Sequence, residues 1–321
     1  MFSGDDHNLR RRASEQAGTI RRGANRAKRE LIARFGPARR LLEYQHEQRA
    51  RRHAPALHPL SAAAQDAVDH LEREAIAHPS LDDLAGADAD ALRKGLTSLV
   101  DGMAAQAPEG RSTIRPSDET LLSETEVWRW GLAPEMLDVA EHYLGVPVWY
   151  YGADACRQVA DGKVIDLRRW HRDIEDRRVL KILMWLRDVS ESDGPFAYLP
   201  VADSDEAASR LHYVSGFVSD DRMRAIIPED RWRTCPGPAW TITYADTARL
   251  MHRAMPPRHT DRYSVTFTWT SRHPVAFRDV PSSRAANAFQ PLEDLDERQR
   301  AALAPCWARV ARAMRRQMGA P

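Results

Sequence analysis

The sequence predicts a mostly β chain with flanking α-helices, a sandwich or jelly roll buttressed by helices. Two observations predict it. After Gly145 the hydrophobic period switches from helical to two, and five β-branched or aromatic runs follow, VPVWYYGA, VLKILMWL, GPFAYLP, AWTITYA and RYSVTFTWTS, separated by Gly, Pro and Asp. On either side of them the apolar residues recur at helical spacing. At 321 residues and 43% hydrophobic content the chain is long enough for one large core.

The elements follow in order. Ile20, Ala24, Ala27, Leu31 and Phe35 make a narrow apolar stripe on an Arg-rich helix that Gly36-Pro37 ends. Residues 1–53 carry 14 Lys/Arg against 6 Asp/Glu, which leaves the remainder at −7 in a chain of net charge +1. The positive charge therefore belongs to an arm, 1–55, which either packs on its own domain or meets something acidic. A helical segment, 56–145, comes next. In it Ser80 and Asp83 resemble a capping box, and Leu92, Leu96, Leu99 and Met103 share a helix face. A loop rich in Pro, Gly and Ser leads to a short helix opened by Pro134 and closed by Gly145. The strands occupy 146–275. A C-terminal loop and amphipathic helix fill 276–321, with Leu303, Trp307, Val310 and Met314 on one face.

Cys156, Cys235 and Cys306 are scattered and form no CxxC, so neither a disulfide framework nor a cysteine zinc site is expected. The N-terminus has no apolar h-region, and no apolar run approaches 18 residues. A cytoplasmic protein that does not span a membrane is the expectation. There is no Walker loop, GxGxxG or GxSxG. The HRD at 171–173 is not that of a kinase, because Arg178 stands where the catalytic-loop Asn belongs and no DFG follows.

The stretch RRWHRDIEDRR, 168–178, holds the candidate chemistry. On a strand, His171 and Asp173 point to one side and Arg172 to the other. An imidazole and a carboxylate are two of the three ligands of the facial triad for non-haem Fe(II), which leaves coordination positions open. A distant histidine must complete it, and His252, His259 and His273 are on offer. Arg262 and Ser264 share a face of the last strand, and a guanidinium fork beside a hydroxyl suits a carboxylate such as that of a dicarboxylate co-substrate.

Together, His171-Arg172-Asp173, His252-Arg253 and Arg262 ten residues on resemble the HxD…H…R pattern of Fe(II)/2-oxoglutarate-dependent oxygenases. WHRD, DGPFAYLP and the later D…HR look like the phytanoyl-CoA dioxygenase-like branch. The resemblance covers about 145–273. It implies a double-stranded β-helix (jelly roll, cupin-like) and iron ligands His171, Asp173 and His252; the spacing to Arg262 favours His252 over His259. It implies that Arg262, helped by Ser264, holds the distal carboxylate of 2-oxoglutarate. O2 and 2-oxoglutarate would be consumed, succinate and CO2 released, and an unactivated C–H bond of a small molecule hydroxylated. Halogenating relatives have a small residue at the carboxylate, so Asp173 favours hydroxylation or a related oxidation.

Further groups are placed by parity. Lys181, Leu183 and Trp185 share one face of VLKILMWL, with Leu180, Ile182, Met184 and Leu186 on the core face. Lys181 either meets 2-oxoglutarate or an acidic substrate, or snorkels at a strand end. Asp246 either orients an iron-bound imidazole or caps the turn after its strand. Arg157 and Tyr151 are weaker candidates for the pocket. With Arg157, Lys181 and Trp185 as lining, a polar, partly charged metabolite is the favoured substrate, and nucleic acid is not expected as a partner. Two rival readings stand: a cupin-like metal enzyme without 2-oxoglutarate, and a non-catalytic jelly-roll module with a nucleic-acid-binding arm.

Overall fold

The computed structural model describes residues 35–85, 89–275 and 294–303. The chain divides at Arg49/Ala50 into two units. The first contributes the opening turns of a helix, Gly36–His53, which buries no side chain. Gly36-Pro37 therefore starts a helix, as proline in a first turn does. Of the predicted apolar stripe, Phe35 is exposed, and Ile20, Ala24, Ala27 and Leu31 lie outside the described residues.

The second unit is built on two antiparallel sheets. The strands are β1 (Ile76–Ala77), β2 (Thr113–Ile114), β3 (Val148–Gln158), β4 (Leu180–Trp185), β5 (Phe196–Tyr198), β6 (Arg233–Cys235), β7 (Ile242–Asp246), β8 (His252–Ala254) and β9 (Arg262–Ser271). The large sheet has the order β1-β7-β4-β9-β3-β2, the small one β6-β5-β8. All five runs read as strands from the sequence contain one. The two-residue β1 and β2 and the three-residue β6 and β8 were too short to show a period. Among the described residues helix outweighs strand, so the chain is mixed α and β rather than mostly β. The reason is that one face of the large sheet is apolar and needs helices to cover it.

Alternation along β4 and β9 produces that face. Leu180, Ile182 and Met184, with Tyr263, Val265, Phe267 and Trp269, are buried in one cluster with residues of helices Ala62–Glu74, Ala89–Ala104 and Pro134–Leu144. Each such side chain contributes roughly 1.5–3 kcal/mol by leaving water. Leu92, Leu96, Leu99 and Met103 are buried as predicted. The helix begun by Pro134 ends at Gly145, whose φ of 71° lies in the left-handed region that closes helices.

Two expectations are corrected here. Ser80 Oγ accepts from the Asp82 amide at 3.2 Å and caps only the one-turn helix Leu81–Ala85, not the helix that carries Leu92. The stretch before Pro134 is not merely loop: Ser117 caps Asp118–Ser123, and Thr125–Trp130 follows, because Leu121, Leu122, Val127, Trp128 and Trp130 all have core to reach. At the C-terminus, Glu297–Ala302 is a helix with an Asp296/Gln299 capping box, and Leu303 ends it. Trp307, Val310 and Met314 lie outside the described residues.

The outer side of the small sheet has its own core, in which Trp170, Ala197, Leu199 and Met251 meet Ala207 and Met223 of helices Val201–Arg210 and Asp220–Arg224. Its inner side and the second face of the large sheet, which carries Lys181, Leu183, Arg262 and Ser264, line a common cavity. No described helix is long and apolar enough to cross a membrane.

Candidate active site

His171 is not in a long strand. It forms a single antiparallel bridge with His252, the first residue of β8. Each amide donates to the other's carbonyl at 2.9 Å, and the two rings stand 4.3 Å apart between centroids. Asp173 follows in a loop, tied back because its amide donates to Thr247 O at 2.8 Å. The parity expected of a strand is kept over these three residues. Arg172 points away and pairs with Asp205 at 2.8 Å.

The ligand atoms of His171, Asp173 and His252 lie within 4.8 Å of one another, and all three residues are buried. Their hydrogen bonds prepare them for a cation. His171 Nδ1 donates to Arg169 O at 2.8 Å, and His252 Nδ1 donates to Leu250 O at 3.0 Å. A carbonyl only accepts, so the proton sits on Nδ1 in both rings and the Nε2 lone pairs are left for a metal. Burial, with His171 nearby, holds His252 down at about 3, and burial lowers His171 as well, so both rings are neutral at ordinary pH. Asp173 Oδ1 stands 3.9 Å from His171 Nε2. Its Oδ2 accepts from Thr247 Oγ1 at 2.5 Å and meets the Lys181 ammonium. Two neutral imidazoles and one carboxylate fit Fe(II), and this donor set leaves positions free for a chelating co-substrate and O2.

Across the cavity, Arg262 is 3% exposed and has no carboxylate partner. Its Nη1 donates to Met255 O at 3.0 Å and its Nη2 to Gln158 Oε1 at 2.8 Å, while its buried Nε has no acceptor. Gln158 Oε1 also accepts from Arg168 Nε at 3.1 Å, so one amide oxygen serves two buried guanidiniums. Burial pulls Arg262 down to about 10, and Arg168 pulls the same way; it stays charged at neutral pH. Ser264 Oγ is 3.5 Å from Cys156 Sγ on the same wall. A buried cation held only by neutral oxygens, with an orphaned N–H, is a seat for an anion.

His171, Lys181, His252, Arg262 and Ser264 thus line one cavity of about 120 Å³, with Asp173 at its metal end. Lys181 and Trp185 face it as parity predicted. The other candidates do not. Arg157 turns outward, donating to Asp261 at 2.6 Å and to backbone carbonyls. Tyr151 is in the helix-side core. Asp246 also faces that side, where it accepts from Tyr143 Oη at 2.6 Å and from the amides of Val179 and Ala248. Of its two readings the turn cap is the one realised. His259 and His273 are exposed.

Sequence reasoning missed Gln158, Thr247, Phe196 and Phe217. Gln158 is the register partner of Arg262, which only the β3/β9 pairing discloses. Thr247 had a signal, since it continues the parity of Thr243 and Ala245 along β7.

No protein-family profile and no curated protein sequence matches the chain. Several solved structures are similar to it. The epimerase SnoN, in complex with Fe3+, alpha ketoglutarate and nogalamycin RO, has a TM-score of 0.45 and 16% identity over 73% of this chain and 93% of its own. EctD from S. alaskensis, with 2-oxoglutarate and 5-hydroxyectoine, has 0.47 and 16% over 70% and 86%. HygX from Streptomyces hygroscopicus, with nickel, 2-oxoglutarate and hygromycin B, has 0.45 and 13% over 64% and 87%.

Proposed function

We propose that this chain is an Fe(II)/2-oxoglutarate-dependent oxygenase of the phytanoyl-CoA dioxygenase-like branch. In this reading a double-stranded β-helix spans 146–275 and the enzyme hydroxylates an unactivated C–H bond of a small-molecule metabolite in the cytoplasm, releasing succinate and CO2. The carrying observation is Arg262, a buried guanidinium without a carboxylate, on the wall of the cavity that holds the His171/Asp173/His252 cluster. The cupin-like reading without 2-oxoglutarate gives that cation nothing to do.

Bound Fe(II) would supply O2 activation coupled to oxidative decarboxylation of the co-substrate. His171 and His252 present their Nε2 atoms, with tautomers fixed by Arg169 O and Leu250 O. Asp173 supplies the negative charge, and Thr247 and Lys181 fix its rotamer. Lys181 thus serves the metal ligand in our reading rather than the co-substrate. Arg262 takes the distal carboxylate of 2-oxoglutarate through its free Nε edge, with Ser264 donating once more. Leu183, Trp185 and Phe196 keep water from the reacting carbon. We assign the units 1–55, 56–145 and 276–321 to an arm, a buttress and a C-terminal helix, and leave nucleic acid out of the mechanism.

The test is anaerobic titration of the metal-free protein with Fe(II) and 2-oxoglutarate, followed by the visible charge-transfer band of the chelate. The band should form in the wild type, vanish in His171→Ala and weaken in Arg262→Ala. Iron binding without the band would overturn the 2-oxoglutarate assignment, and no iron binding would overturn the metal site.

A further inference from the structure

Most charges of the described cavity wall are already paired. Lys181 is on Asp173, and Arg115 is on Asp154 at 2.9 Å. Arg157, a weaker candidate for the pocket, is turned to the helix side, where it meets Asp261 and the carbonyls of Met103 and Gln106. Arg262 is the one cation of the described cavity wall without an anion, and the co-substrate takes it in the reading above. Among the described residues, the carboxylates that face this space are those of Asp154 and Asp173, and both already hold a cation, so no carboxylate is left for an ammonium group. The rest of the wall combines the apolar Leu167, Leu183, Trp185, Phe196, Ala245 and Ala254 with the uncharged polar Gln158, Thr243, Thr247, Ser264 and Thr266, and most of its exposed area is apolar.

Two aromatic rings flank the metal ligands. Phe196 lies 5.5 Å from the His252 ring, and Phe217 lies 5.4 Å from the His171 ring at 72° to it. Phe217 is 39% exposed, and the Arg169 guanidinium covers it at 4.7 Å from the ring centre. Leu167 is 46% exposed, and with Val164, Ile165 and Phe217 it makes up the exposed large apolar side chains described in the second unit. Leu167 is itself on the cavity wall, so exposed apolar surface runs into the cavity, and such surface marks a binding site. Apolar walls with a few fixed polar groups are what a small-molecule site presents.

We propose that the cavity takes an uncharged, predominantly apolar small molecule, seated between Phe196 and Phe217 with its outer end against Leu167. This replaces the polar, partly charged metabolite that the sequence favoured. That the molecule is uncharged rests on the oxygenase reading, which gives Arg262 to the co-substrate; that it is apolar rests on the wall.

The experiment uses the full-length, metal-free protein with 2-oxoglutarate at saturation, so that Arg262 is occupied, and three fluorescent or ultraviolet-absorbing probes. These are neutral N-phenyl-1-naphthylamine, cationic 1-naphthylmethylammonium and anionic 8-anilino-1-naphthalenesulfonate. The neutral probe should bind at least tenfold tighter than either charged one. Phe217→Asp and Leu167→Asp, both at exposed positions, should weaken it at least tenfold, whereas Leu41→Asp on the N-terminal helix should not. Circular dichroism checks that each variant is folded, and Ala254→Asp within the cavity gives an independent second site. Equal or tighter binding of a charged probe, or wild-type binding in folded rim and cavity variants, would overturn the proposal. Neutral-probe binding lost with the rim, in a protein that gives no Fe(II)–2-oxoglutarate band, would support the ligand class while sinking the oxygenase reading.

Discussion

Replacing Arg262 by Met separates a functional cation from a structural one. In the folded protein its guanidinium falls from 12.5 to about 10. A depressed pKa on a base means that the charged form is disfavoured by folding at every pH below about 10. At 1.36 kcal/mol per unit, this drop of about 2.5 units withholds roughly 3 kcal/mol of stability at neutral pH. Arg262→Met removes that penalty. Against this, it strands Met255 O, at about 1–3 kcal/mol, and takes one of two donors from Gln158 Oε1, which keeps Arg168 Nε. The two nearly cancel, so the expected change in stability is within about 2 kcal/mol of zero. Binding of 2-oxoglutarate should behave otherwise. Two charge-assisted hydrogen bonds at about 1.5 kcal/mol or more each amount to a loss of at least roughly 100-fold in affinity. Urea denaturation gives the first quantity, and anaerobic calorimetry of 2-oxoglutarate on the iron-loaded protein gives the second. A loss of stability well above about 4 kcal/mol would show that the guanidinium is a structural strut. Unchanged affinity would remove the carboxylate from its fork.

Three other outcomes follow from the same structure. Lys181→Met leaves the buried Asp173 carboxylate without its ammonium, so the metal-free protein should lose roughly 3 kcal/mol; Fe(II) should restore most of it, as melting curves with and without iron will report. Asp161 and Asp193 are both held at about 2, Asp161 by Ser112, the Lys163 amide and Arg168 against the cost of burial, Asp193 by Ser190 and Thr260. Their folded values lie below the ordinary one, so the stability they contribute is present above about pH 4 and is lost as pH falls toward 2, which acid titration of the fold will follow. Gly131→Ala would drive a methyl group into the Tyr150 ring, whose hydroxyl is fixed by donating to Trp128 O at 2.9 Å, so about 1–3 kcal/mol should be lost in chemical denaturation.

Legibility followed the range of the interactions. The β4 and β9 faces could be read because alternation is a local pattern, and the pocket side of Lys181, Trp185, Arg262 and Ser264 came with it. The cluster of His171, Asp173 and His252 was legible from residue type and spacing, although the strand assumed for 171–173 shrank to one bridge. Its convergence survived because the Asp173 amide is tied to Thr247 O. Arg157 went wrong because parity states which side a residue takes, not which side is the cavity; the irregular register between Tyr150 and Ala153 shifts that strand's faces. Gln158 and Phe217 were invisible, since one depends on cross-strand register and the other on where a loop without periodicity comes to rest.

The reciprocal amide bonds between His171 and His252 carry a last consequence. The two imidazoles hang from opposite ends of a single rung, so their separation is inherited from main-chain geometry and survives replacement of either ring. That rung closes only when stretches far apart in the chain have met. Chelating power is therefore a late product of folding, and the moment at which refolding protein first captures a metal would time the closing of that rung.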